Sequence, residues 1–149
     1  MLSRGRLHIA ALCVGMAQRV LDESVTYAAT AKQGGAPIGR FQLVQGLIAD
    51  MHAEVLAGRS MVREVAARYD GGEDMSIGPS SAKLFCTEMV GRATDAAVQV
   101  HGGMGYLRTT PVERFYRDAR LFRLYEGTSE VQRVIIGGGL LREAGMSRG

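Results

Sequence analysis

Apolar residues recur every three or four positions along most of this chain. This spacing is the strongest constraint on the fold, because it is the period of an amphipathic helix. It predicts four helices, which run to about Ala31, over residues 40–69, over residues 82–100, and from Thr128 to about Ala144. Polar and apolar residues do not alternate as they would in a half-buried strand, so no sheet is expected. The pattern therefore predicts an all-α protein, an antiparallel four-helix bundle, with one domain over residues 1–149.

The segments between these helices are rich in glycine. Residues 32–39 and 70–81 have the composition of loops, and residues 101–127 are predicted to be an irregular connection rich in Gly and Arg. Three glycines, residues 137–139, interrupt the last helix, and each interior glycine costs ~1 kcal/mol relative to alanine. That helix is therefore expected to be held by packing, to allow a close backbone approach, or to break there.

Composition and charge exclude several classes of function. The chain is 46% hydrophobic and 22% charged, as in ordinary globular proteins. Its net charge of +3 is only mildly basic, and no dense basic run with interleaved aromatics occurs, so no nucleic-acid partner is expected. The apolar run from Ile9 to Ala17 is shorter than the ~20 residues of a membrane span. It is predicted to be part of the first core helix of a cytoplasmic protein, with no membrane partner.

The two cysteines are predicted to be structural. Cys13 and Cys86 each lie within a helical apolar pattern, far apart in sequence, and neither has a second Cys or a His at metal-ligand spacing. We interpret them as buried thiols, for which a disulfide is possible but not indicated. No metal site is expected.

Two glycine- or arginine-rich motifs leave functional and structural interpretations open. Glycines in HGGMGY (101–106) would let backbone N–H groups approach a phosphate or a flat ring, although a helix-ending turn is the more common explanation. Arginines at every third position could meet phosphate or carboxylate groups, although a solvated face paired with nearby acids is favoured. These are Arg114, Arg117, Arg120 and Arg123.

The stretch RLYEGTSEVQR (123–133) holds an acid just before the last predicted helix. Thr128 or Ser129 can cap that helix, and Ser129 with Gln132 matches a capping box. Glu130 then lies in the first turn, where negative charge is favoured. Glu126 falls outside the cap, and a partly desolvated carboxylate there would suit a proton-abstracting base. The spacing alone supports a structural and a catalytic interpretation equally.

Residues 97–136 as a whole resemble the C-terminal signature of acyl-CoA dehydrogenases. The matching parts are A-V-Q-x-x-G-G-x-G-Y, P-V-E-R-x-x-R-D and Y-E-G-T-S-E-x-Q-R, and residues 5–28 and 37–51 fit the family as well. The resemblance implies a four-helix bundle and FAD-dependent dehydrogenation of an acyl-CoA thioester to a trans-2-enoyl-CoA. It also implies a homo-dimer or tetramer that passes electrons to an electron-transfer flavoprotein.

The same resemblance assigns roles to individual residues. Glu126 matches the catalytic base, and Gly5 stands where some branched-chain members carry theirs. The substrate-binding positions are Arg6, Tyr125 and Gly127. The FAD-binding positions are Gln42, Gln99, Gly102, Gly103, Thr128 and Glu130, of which the first four match contacts to the FAD of a neighbouring subunit. Gln33, in a loop that departs from the family pattern, could still offer the FAD a hydrogen bond.

The chain also departs from the family pattern. Where the family has an Arg on the FAD pyrophosphate and a Phe beside the cofactor, this chain has Ala31 and Gly34. The N-terminal helical domain and the β-barrel domain of the family are absent from residues 1–149. We therefore expect activity to need those domains, in cis or from a partner chain. The alternative is a truncated, non-catalytic helical module for oligomerisation or interaction.

Overall fold

The computed structural model describes residues 2–73 and 77–146. The elements, in chain order, are α1 (Leu2–Thr30), β1 (Lys32–Gln33), β2 (Ala36–Pro37), a 3₁₀ turn (Ile38–Arg40), α2 (Gln42–Asp70), α3 (Gly78–His101), a 3₁₀ turn (Gly102–Tyr106), α4 (Pro111–Leu121) and α5 (Ser129–Glu143). The predicted all-α bundle is confirmed.

Helices α1 and α3 run parallel and form the most extensive contact in the chain. At one end Arg6 Nη1 donates to Ser80 Oγ over 3.4 Å. At the other end the rings of Tyr27 and His101 stack with centroids 4.2 Å apart. Helix α2 runs antiparallel to both, and α5 runs antiparallel to α3. The bundle therefore has two distinct ends, one at the starts of α1 and α3 and one where these helices finish. The predicted site residues are divided between these two ends.

Small residues allow the helices to approach closely in the core. Ala10, Cys13 and Ala17 of α1 and Cys86 of α3 are fully buried. A Cβ at Gly58 of α2 would lie only 3.1 Å from Met89 Cε. Both thiols are free, as predicted, and burial raises the pKa of Cys86 to about 12.

The predicted irregular connection over residues 101–127 was wrong, because it contains α4. Pro111 occupies the first turn of this helix, where its missing N–H and fixed φ are tolerated. Its buried positions include Val112 and Ala119, while Arg114 and Arg117 are exposed. The many charged residues on the outer face obscured a short apolar stripe of helical spacing.

Helix α3 begins at Gly78, four residues before the predicted start at residue 82. The Gly-Pro-Ser-Ser sequence has the composition of a loop, yet Pro79 fits a first helical turn. Residues 74–76 of the predicted loop lie outside the described residues.

A small antiparallel ladder contradicts the expectation of no sheet. Lys32 pairs with Pro37 and Gln33 with Ala36. Gly34 and Gly35 between them have φ of +60° and +84°, the left-handed conformation that a tight two-residue hairpin requires. Two residues per strand are too few for alternation to be visible in sequence.

The triple glycine does not break α5. A Cβ at Gly139 would lie 2.7 Å from Ile77 Cγ1, whereas one at Gly137 would meet nothing within 4 Å. Of the three expected outcomes, close approach at Gly139 is the one observed. Across the described ranges, no helix is long and apolar enough to cross a membrane.

Candidate functional site

Glu126 has an unusual backbone conformation. Its φ is +55°, and within residues 2–73 and 77–146 it is the one non-glycine residue with positive φ. Gly127 follows with φ of +88°. A side chain in this region costs about 1–3 kcal/mol and persists only where the surroundings enforce it. The contacts around this dipeptide therefore need explanation.

Two buried side chains bind the carbonyl groups of this dipeptide. Lys83 Nζ donates to Gly127 O over 2.8 Å. Gln132 Nε2 donates to Glu126 O over 3.1 Å and to Gly127 O over 2.9 Å. Lys83 and Gln132 are both fully buried. Lys83 was not predicted as a site residue, although a lysine within an apolar helical pattern was the available signal.

Helix α5 begins directly after this dipeptide. Thr128 is its N-cap, with Oγ1 accepting from Val131 N over 3.4 Å. The predicted capping box of Ser129 and Gln132 was therefore wrong. Ser129 Oγ instead donates to Glu88 Oε1 over 2.7 Å, and Gln132 turns inward to the carbonyl groups.

The arginine series ends in this network. Arg123 lies after α4, and its Nε is 3.0 Å from Glu88 Oε2. Arg117 on α4 pairs with Glu113 over 2.6 Å. The pair of the exposed Arg117 bears out the favoured interpretation of a solvated face that meets nearby acids. Arg123 does not fit it, because it is half-buried and pairs with an acid of another helix, α3.

The Glu126 carboxylate lies directly against the start of α1. A Cβ built on Gly5 would be 2.6 Å from Oε2 and 3.0 Å from Cδ of Glu126. Only a glycine therefore leaves room for the carboxylate in this position. The side chain is half-buried. A half-buried carboxylate beside a helix that has no side chain at that point is a group that can serve as a general base.

The neighbouring predicted substrate residues are also at this end. Arg6 follows Gly5 and contacts Ser80, which turns its guanidinium toward the start of α3. Tyr125 is half-buried and its ring is 5.8 Å from that of Phe122. Burial raises the pKa of Tyr125, with smaller contributions from Cys13 and Glu126. The hydroxyl is therefore neutral at physiological pH.

Two of the predicted FAD residues also lie at this end. Thr128 caps α5, and Glu130 is exposed in its first turn. Hydrogen bonds from its own backbone and from the Thr128 side chain lower the pKa of Glu130. The carboxylate of Glu130 is thus ionised and accessible.

The remaining five predicted FAD residues lie at the opposite end of the bundle. From Gly5 to Tyr27 along α1 is roughly 30 Å at 1.5 Å per residue. The hairpin follows Tyr27, and the end of α3 stacks on it through His101. The structure therefore does not bring these five residues to Glu126. They are Gln33, Gln42, Gln99, Gly102 and Gly103.

This second end fits a nucleotide in its chemistry. The amide side chains of all three glutamines are exposed. Gly102 has φ of +56°, and a Cβ there or at Gly103 would meet nothing within 4 Å, so the backbone is open to a ligand. Amides and Cβ-free backbone are hydrogen-bonding groups that suit a dinucleotide such as FAD. The expected FAD contacts are chemically feasible as part of a site.

The chain is similar over nearly its whole length to proteins of known family. The family model described as the acyl-CoA dehydrogenase C-terminal domain matches residues 1–141. This chain belongs to the acyl-CoA dehydrogenase family. It is 46% identical over 141 residues to a probable acyl-CoA dehydrogenase of Bacillus subtilis, covering 95% of this chain and 37% of the relative. It is 41% identical over 139 residues to a subunit of the caffeyl-CoA reductase–Etf complex of Acetobacterium woodii, covering 93% and 37%.

Solved structures show the same relationship. The butyryl-CoA dehydrogenase of Megasphaera elsdenii superposes with a TM-score of 0.93 and 37% identity, over 95% of this chain and 37% of that one. An acyl-CoA dehydrogenase of Bacillus anthracis, solved with FAD, superposes with a TM-score of 0.91 and 33% identity, over 96% and 28%. The present chain thus spans 37% of the length of three of these proteins and 28% of the fourth.

Proposed function

We propose that this chain contributes the base-bearing domain of an enzyme that dehydrogenates an acyl-CoA thioester to a trans-2-enoyl-CoA. Glu126 is the catalytic base. The observation that supports this most directly is the position of its carboxylate, against Gly5 and on a dipeptide whose carbonyl groups are both hydrogen-bonded. The backbone that carries the carboxylate is thus fixed before substrate arrives, which favours efficient proton abstraction.

The reaction removes one proton and one hydride. Glu126 takes the proton from the α-carbon of the thioester, while its backbone N–H polarises the thioester carbonyl. FAD would supply the acceptor for the hydride that leaves the β-carbon, and Thr128 and Glu130 would help to hold it. Arg6, Tyr125 and Gly127 surround the acyl group, and the half-buried ring of Tyr125 supplies apolar surface for it.

The separation of the two ends supports an oligomer. Since Gly102 and Gly103 lie roughly 30 Å from Glu126 along the bundle axis, we propose that they bind the FAD of a neighbouring subunit. A homo-dimer or tetramer places the two ends of different subunits together. Thr128 and Glu130 then contact the FAD beside their own Glu126. An electron-transfer flavoprotein is the proposed acceptor, and the Etf complex named for the Acetobacterium relative supports it.

A second function, a non-catalytic helical module, is favoured by one observation. Gly34 has φ of +60° in the hairpin, which disfavours the Phe that the family pattern places there. The glycine therefore permits a tight turn at this position, and the contact that the Phe of the family pattern makes beside the FAD is lost. We propose that FAD binding depends on further domains, in cis or on a partner chain.

Substitution of the base tests the main proposal. In the flavin-loaded enzyme, assembled with the remaining domains, Glu126→Gln should lower kcat by about 10²–10⁴-fold, the usual contribution of a general base. Glu143→Gln, an exposed acid at the end of α5, is the matched control. Reduction of an artificial electron acceptor by acyl-CoA measures both. Full activity in the Glu126 variant would exclude it as the base.

Flavin absorbance tests the dependence on other domains. The 149-residue chain alone, purified and mixed with FAD, should remain colourless after removal of free flavin. Stoichiometric yellow protein that oxidises an acyl-CoA would overturn the proposed dependence.

A further inference from the structure

Lys83 is a fully buried lysine at the junction of three helices. It lies on α3, near the start of α1, and its ammonium group reaches the carbonyl oxygen of Gly127 just before α5. The chain has only two lysines, and the other, Lys32, is exposed in the hairpin. An ammonium group loses much of its hydration on burial, so a buried lysine needs compensating contacts.

The charged surroundings of Lys83 do not supply a direct ion pair. The titratable groups that face it are Cys13, Arg6, Glu88 and Glu130. Among the described residues, none of the acids lies within 4.0 Å of its nitrogen. Burial lowers the pKa of Lys83, in agreement with this setting. The hydrogen bond to Gly127 O, at 2.8 Å, is therefore the closest contact that explains the position of the ammonium.

The Glu126–Gly127 dipeptide needs support of this kind. Both residues have positive φ, and Glu126 carries a side chain in that conformation. Gln132 alone provides one amide nitrogen for two carbonyl oxygens, at 3.1 and 2.9 Å. Lys83 supplies a second donor to the Gly127 carbonyl, so that both peptide planes are fixed.

We propose that Lys83 is a positioning residue for Glu126. By holding the Gly127 carbonyl from the side of α3, it maintains the left-handed conformation that places the Glu126 carboxylate against Gly5. The effect of Lys83 on catalysis rests on the proposed function of Glu126. Its effect on structure, which is to order the Glu126–Gly127 dipeptide, is independent of that function.

Backbone dynamics test the structural consequence in the 149-residue chain. Lys83→Met keeps the length of the side chain and removes the donor, and Lys32→Met is the matched control. In ¹⁵N relaxation measurements, the order parameters at Glu126 and Gly127 should fall from about 0.85 to below about 0.6 in Lys83→Met. Lys32→Met should leave them unchanged. A folded Lys83→Met protein with unchanged order at both residues would overturn the proposal.

A measurement on the unsubstituted lysine covers the case in which Lys83→Met fails to fold. With ¹⁵N-labelled lysine side chains, one ammonium signal should exchange slowly with water and remain in Lys32→Met. Coupling across its hydrogen bond should identify the Gly127 carbonyl as the acceptor. Two ammonium signals that both exchange at the solvent rate would contradict the proposal.

Kinetics separate this inference from the proposed function. In the flavin-loaded assembly, Lys83→Met should lower kcat by about 10²-fold, since a displacement of about 1 Å can cost that much, with little change in KM. Lys83→Met with unchanged kcat would overturn the catalytic part of the inference. Full activity of Glu126→Gln would instead refute the base assignment, while the order parameters would still decide whether Lys83 positions the dipeptide.

Discussion

Replacement of Gly5 by alanine should separate stability from activity. The new Cβ would lie 2.6 Å from Glu126 Oε2, whereas ordinary contact begins at 3.4 Å, so the carboxylate must move by about 0.8 Å. The atoms in the way are the end of a flexible side chain, so the backbone can stay in place. The same substitution adds helix propensity to α1, worth up to about 1 kcal/mol. The variant should thus be as stable as the parent or more stable.

The loss of activity follows from this displacement. A misplacement of about 1 Å can reduce the rate roughly 10²-fold, and we expect a fall in kcat of that order in the flavin-loaded assembly. Gly15→Ala is the matched control, because it lies on the exposed side of the same helix with nothing within 4 Å of a new Cβ. It should gain a similar stability and keep full activity.

Thermal unfolding and steady-state kinetics measure the two effects. For a chain of this size, 1 kcal/mol corresponds to a shift in Tm of roughly 2–4 °C. If Gly5→Ala retains the kcat of Gly15→Ala, the carboxylate does not act from the position against α1. If Gly5→Ala is instead strongly destabilised, the carboxylate is not free to move and the reasoning about a flexible side chain fails.

Three further predictions concern the scaffold. Thr128→Ala should lower the free energy of unfolding by about 1 kcal/mol in denaturant titrations, because the N-cap acceptor of α5 is lost; no change would show that the cap is not needed. Gly139→Ala should destabilise the chain relative to Gly137→Ala, since only the former meets Ile77, at 2.7 Å, and equal Tm values would contradict the close approach. Burial raises the pKa of the Cys86 thiol from 9.0 to about 12, so the thiol should not react with a thiol reagent at pH 8 until the chain unfolds. The stability that this neutral thiol contributes should be lost as pH rises from about 9 toward 12, because the unfolded chain then loses the proton first. Rapid reaction in the folded chain would show that the thiol is exposed.

The long helices could be predicted from sequence because their apolar spacing extends over many turns. The second helix, expected over residues 40–69, is observed over Gln42–Asp70. Helix α4 was missed because its buried stripe is short and arginines dominate its surface. The hairpin at residues 32–37 was missed because its strands are two residues long.

The site residues could be predicted only where a local sequence motif contains them. The motif around Glu126 was recognisable, yet its left-handed conformation is not visible in sequence, because glutamate is uncommon at positive φ. Lys83 lies 44 positions before Gly127 in the chain, and only the packing of α3 against α5 brings the two together. Gln132 was assigned to a capping box because its spacing fits one, while burial directs it to the carbonyl groups. Contacts between helices, rather than patterns within one helix, determined these roles.

The distance between the two ends of the bundle has a genetic consequence. A defect at Glu126 and a defect at Gly102 affect opposite ends of the helical bundle, roughly 30 Å apart. If each site is shared between two subunits, co-expression of the two inactive variants should restore part of the activity. In a mixed assembly, one interface receives both defects and another receives an intact pair. Two copies of the same inactive variant should not complement each other.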